Sequence, residues 1–148
     1  MFEHLRGLLR EARQPAATSP ADEQRLAAAV LLLEVARADY EQQPAERATL
    51  RAGLAREFQV PEAALDALLD EAELRAKQSV SLFEFVQTLN RTMAVDDKRG
   101  LLQLLWQVAH SDGRVDPHEE HLLRRIADLL HLSHADFIRG KLATSGEG

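Results

Sequence analysis

The side chains with the clearest chemical potential are carboxylates that recur at a fixed interval. Glu34, Asp39 and Glu46 lie in the first half of the chain, and Asp112, Asp116 and Glu119 in the second, with Glu120 alongside. The intervals 112 − 39 and 119 − 46 are both 73 residues. The chain has no cysteine, so these oxygen donors suit a hard cation such as Ca²⁺, Mg²⁺ or Mn²⁺ rather than a soft metal. The same residues have a second use. Asp and Gly are ordinary turn residues, and Asp116 with Glu119 has the spacing of a capping box. An EF-hand is excluded, because counting from Asp112 puts Arg114 at the third loop position and Leu123 at the twelfth. Ligation and capping both stay open for this set.

Five of the six histidines (His110, His118, His121, His131 and His134) fall in the second half. His118 and His121 are three apart with two glutamates between them, whereas a zincin helix needs histidines four apart with Glu directly after the first. Solvent-facing or helix-flanking histidines are the expectation. No Gly-x-Ser-x-Gly elbow, phosphate-cradling glycine loop or dinucleotide fingerprint occurs. Catalysis is therefore not expected, and a hydrolase is the least favoured reading.

Positioning such residues is the task of helices. Apolar residues recur at helical spacing throughout, as in Leu26, Val30, Leu33 and in Leu122, Leu123, Ile126, Leu129, Leu130. Pro20, Pro44, Pro61 and Pro117 stand near the starts of these stripes, where a missing N–H costs nothing and a fixed φ helps. Ser19, Asp116 and Ser133 are expected N-caps, and Ser81 with Glu84 a further capping box. Periodicity and capping predict an all-α fold of seven or eight helices, over about 2–13, 20–40, 44–58, 61–78, 81–93, 96–111, 117–130 and 133–143. Residues 1–19 read as an amphipathic helix and linker, 20–143 as the helical domain and 144–148 as a fraying tail. The first helix carries Phe2, Leu5, Leu8 and Leu9 on one side. It suits covering the bundle, forming a homodimer or binding a partner groove.

The 73-residue interval extends well beyond the acids. Leu31, Leu32, Val35, Ala36, Asp39, Pro44, Glu46, Leu50 and Arg51 recur as Leu104, Leu105, Val108, Ala109, Asp112, Pro117, Glu119, Leu123 and Arg124. A duplicated helix–turn–helix unit follows, expected to pack about a pseudo-two-fold axis.

Ala36-Arg37-Ala38-Asp39 with Glu46, and Ala109-His110-Ser111-Asp112-Gly113 with Asp116 and Glu119, resemble the two acidic signatures of the TerB tellurite-resistance family. Trp106-Gln107-Val108-Ala109 and Arg124-Arg125-Ile126-Ala127-Asp128-Leu129-Leu130 resemble its second half, and the likeness covers about residues 25–140. That family is helical, and related domains occur with DnaJ-like co-chaperones. The resemblance implies a role in tellurite or chemical-stress responses, with metal binding at the acidic positions and no enzymatic chemistry. Two departures stand out: Gln107 replaces Glu34 between the copies, and Gly113 replaces Tyr40.

Composition narrows the partners. The formal charge is −6, and neither half is basic, so nucleic acid is not expected. No apolar run approaches the length of a membrane span, and no secretory core opens the chain. The sequence therefore leads to a cytoplasmic, non-enzymatic binding or scaffold module of a tellurite, metal or chemical-stress response. Its expected partners are proteins, some membrane-associated. The alternative is a metal-ion sensor whose packing responds to the ion.

Overall fold

The computed structural model describes residues 19–37, 44–79, 81–111, 113 and 115–145. Among these residues it is entirely helical. The helices are α1 (Pro20–Arg37), α2 (Pro44–Glu57), α3 (Glu62–Gln78), α4 (Phe83–Thr92), α5 (Val95–His110), α6 (Pro117–Leu129) and α7 (His134–Ser145). The expected helix over 2–13 and the acidic residues Asp39 and Asp112 lie outside the described residues.

Two helices form the heart of the bundle. α1 is buried on all sides from Ala27 to Leu33 and again at Val35 and Ala36. A helix apolar around its whole circumference must be enclosed by others, and α2, α3, α4, α5 and α6 all pack on it. α5 is its counterpart, buried along Leu101, Leu102, Leu104, Leu105, Trp106, Val108 and Ala109. Its heaviest packing is against α7, as that of α1 is against α3.

The duplication is visible in the coordinates. α1 ends at Arg37 and α5 at His110; α2 begins at Pro44 and α6 at Pro117, so both intervals are again 73 residues. Leu31, Leu32, Val35, Ala36, Glu46 and Leu50 are buried, and so are their counterparts Leu104, Leu105, Val108, Ala109, Glu119 and Leu123. The second helix of each hairpin packs on the first helix of the other, α2 on α5 and α6 on α1. Gly53 permits the approach of α2 to α5, since a Cβ there would collide with the Leu104 side chain.

The likeness continues past the matched sequence. Arg25 Nε donates to the carbonyl of Phe58 just after α2 (2.8 Å). At the equivalent position 73 residues on, Lys98 Nζ donates to the carbonyl of Leu130 just after α6 (3.0 Å). Each hairpin then turns through a left-handed residue, Gln59 with φ 53° and His131 with φ 64°, before the third helix of its half. A cation on one helix thus neutralises the negative end of another in both copies.

Most ends follow their sequence signals. Ser19 with Asp22, and Ser133 with Asp136, exchange side-chain and backbone hydrogen bonds as reciprocal caps. Two expectations are corrected. Ser81 does not open a capping box with Glu84: Leu82 is the N-cap of α4, without a side-chain cap. The Ser81 hydroxyl instead accepts from the Phe83 N–H two residues on, a local turn that competes with the box. The chain also stays helical beyond 143, with α7 running to Ser145.

Candidate functional site

Each acidic residue can be followed from its helix. Glu46 occupies the third position of α2 and Glu119 the third position of α6, and both are 0% exposed. Asp116 is the N-cap of α6 and accepts from the His118 N–H at 2.6 Å. Its own N–H donates to Glu119 Oε1 at 2.9 Å, completing a capping box with Pro117 at the first helical position. These bonds satisfy amide groups that the first turn of a helix leaves over. Glu34 stands in the last turn of α1 and pairs with Arg37 at 3.2 Å.

The two hairpin ends lie against each other's central helices. Thr49 of α2 shares a groove with Gln107, His110 and Ser111 at the end of α5. Reciprocally, Leu122 and Arg125 of α6 share one with Glu34 near the end of α1. Positions 49 and 122, and 34 and 107, are equivalent under the 73-residue interval, so the pseudo-symmetry reaches the surface.

A divalent cation needs several of these oxygens around one point. The donors are chemically suitable, and the structure brings Asp116 and Glu119 together as a cap. Among the described residues no group of three or more His, Asp or Glu side chains gathers to hold a metal ion. Asp39 and Asp112, the residues at the turns themselves, lie outside the described residues.

The histidines divide by environment. His118, His121, His131 and His134 are exposed, whereas His110 stacks on Trp106 with ring centroids 5.6 Å apart. Trp106, Phe137, Phe85 and Phe58 are core residues. Phe83 is the exception, at 54% exposed.

Two buried polar arrangements escaped the sequence reading. Lys98, only 6% exposed, donates to Asn90 Oδ1 (2.9 Å) as well as to Leu130 O, and Asn90 Nδ2 donates to Leu129 O (2.9 Å). A lysine in register with Leu101, Leu102 and Leu105 was the signal for it. Asp136 is buried on α7, where Arg99 Nε (3.0 Å), Arg139 Nη1 (2.8 Å) and the Ser133 N–H (3.3 Å) donate to it. Burial is the largest single influence on its carboxyl and pushes the pKa up, but the Ser133 and Arg99 hydrogen bonds and charge together hold it below the ordinary value.

A folded-state pKa below the unfolded one adds stability above about pH 4, lost as pH falls through the lowered value. The fold should therefore weaken in acid, and Asp136→Asn should flatten that dependence while lowering stability at neutral pH. Thermal melts of both proteins from about pH 6 down to about pH 2 measure it; parallel profiles would refute it.

Comparison with known families bears directly on this arrangement. Residues 25–142 match the family described as Tellurite resistance protein TerB. The chain belongs to the TerB family. The match begins inside α1 and ends inside α7, so the TerB region contains both interlocked hairpins and the third helix of each half. No curated protein and no solved structure matches the chain. No described helix of this TerB chain is long and apolar enough to cross a membrane.

Proposed function

We propose that this TerB-family chain is a non-enzymatic binding module of a tellurite, metal or chemical-stress response, acting in the cytoplasm by recognising other proteins. The observation that carries this reading is the TerB match across the whole interlocked bundle. The most distinctive buried acids, Glu46 and Glu119, sit at helix starts, and Glu119 is engaged in a cap. That is a use in architecture, and it leaves the surface to do the recognising. Affinity capture with the full chain from tellurite-stressed cells, followed by cross-linking, should recover protein partners, some of them membrane-associated. Robust turnover of a phosphate or ester substrate, abolished by Asp39→Ala or Asp112→Ala, would overturn it.

A second reading is favoured by the recurrence of the acidic hairpins with identical helix ends. In it the module senses a divalent cation held at the turns by Asp39 and Asp112, with Glu34, Glu46, Asp116 and Glu119 flanking. The four flanking residues do not make such a site by themselves, so the turn aspartates would supply its core. A cation that binds the folded state alone raises the melting temperature. Calorimetry and melts of untagged protein with Ca²⁺, Mg²⁺ and Mn²⁺ should then give binding that a chelator reverses and that Asp39→Asn or Asp112→Asn weakens. No binding at millimolar ion would leave the carboxylates as caps and turn residues.

A further inference from the structure

The groove that holds Glu34 has a cation and an apolar floor. It is a cleft of about 430 Å³ between α1, the end of α3, the start of α4 and α6. That volume is within the range of small-ligand sites, roughly 300–1,000 Å³. Leu82, Leu122 and Leu129 contribute apolar surface, half-exposed Phe83 forms one wall, and Ser79 and Arg125 also line it.

Arg125 is singular. Every other described arginine has a carboxylate within reach, from Arg25 with Asp22 to Arg139 with Asp136. Among the described residues Arg125 has none. Glu34 shares the cleft, but its charge is already met by Arg37 at 3.2 Å. The internal duplication supplies a control for this cleft. The equivalents of Leu122 and Arg125 in the first copy are Thr49 and Ala52, and the equivalent of Glu34 in the second is Gln107. The corresponding groove beside Thr49 is therefore lined by neither arginine nor lysine and has no large apolar side chain. The two copies have diverged so that one cleft pairs an apolar floor with an uncompensated guanidinium.

We propose that this cleft binds a small anionic amphiphile, its carboxylate on Arg125 and its apolar body over Phe83, Leu122 and Leu129. A planar guanidinium takes a carboxylate through two parallel hydrogen bonds, and the apolar chain covers an aromatic face otherwise left in water. Neither half suffices alone. The carboxylate gives orientation, and the chain supplies the burial.

The experiment is a titration of the ¹⁵N-labelled full chain with decanoate, decanol and butyrate, each below its self-association threshold. Decanoate should give saturable amide shifts at Ser79, Phe83, Ile126 and Leu129, and bind more tightly than either comparison compound. Arg125→Gln should weaken decanoate about tenfold and leave decanol unchanged, whereas Phe83→Ala should weaken both. Arg125 is exposed, and circular dichroism would verify that the variant keeps its helices. Absence of saturable shifts, shifts confined to another surface, decanoate affinity indifferent to Arg125→Gln, or butyrate binding as well as decanoate would each overturn the proposal.

Discussion

Replacing Trp106 with alanine is expected to remove about 3–5 kcal/mol of stability, a large share of the roughly 5–15 kcal/mol typical of a domain. Trp106 is 0% exposed and packs at 5.1 Å from Phe137 and 5.6 Å from His110. Its seat was cleared by Gly140, where a Cβ would come within 2.7 Å of the indole Cδ1. Trp106→Phe should lose much less: it keeps an aromatic ring, and the indole Nε1 has no hydrogen-bond partner among the described residues, so no buried bond is broken. Urea unfolding of the three proteins decides it; a loss under about 1 kcal/mol for Ala would refute the role of Trp106 between α5 and α7, and equal losses for Phe and Ala would refute the smaller effect of Phe.

The second large effect tests the duplication energetically. Leu32 and Leu105 are equivalent, one on each central helix, and both are fully buried. Leu32→Ala and Leu105→Ala should each cost about 2–5 kcal/mol. Because the two side chains occupy matching places, their losses should agree to within about 1 kcal/mol, inside the spread that packing differences alone produce. A disagreement of more than about 2 kcal/mol would mean that the halves share a chain path but not a packing scheme.

The helices were legible because the sequence marks them twice, by apolar period and by proline or cap at the entrance. Pro44 and Pro117 placed the starts of α2 and α6 to the residue. The hairpin repeat was legible for the same reason, since its buried positions tolerate few alternatives. Its extension was not. Arg25 and Lys98 do the same work with different residues, and after the second helix the register slips by one, from Phe58 to Leu130, which hides the likeness from a search at constant offset. Phe83 and Phe85 are equally apolar, yet positions two apart lie on opposed faces of a helix, and of the two it is Phe85 that is buried. At the acidic turns the difficulty was chemical. An aspartate or glutamate at the start of a helix is equally suited to capping an amide and to holding a cation. For Asp116 and Glu119 the sequence allowed either use, and the coordinates show the capping box.

Lys98 has a practical consequence. The chain contains three lysines, Lys77, Lys98 and Lys141, and only Lys98 has its amine sealed inside, held by Asn90 and by the carbonyl after α6. Brief treatment of the native protein with an amine acylating reagent should modify Lys77 and Lys141 readily and spare Lys98. Modification at Lys98 then requires α4, α5 and the end of α6 to part. The rate at which that one peptide acquires its label, read by mass spectrometry, is a clock for the opening of the bundle, carried by the protein without an introduced probe.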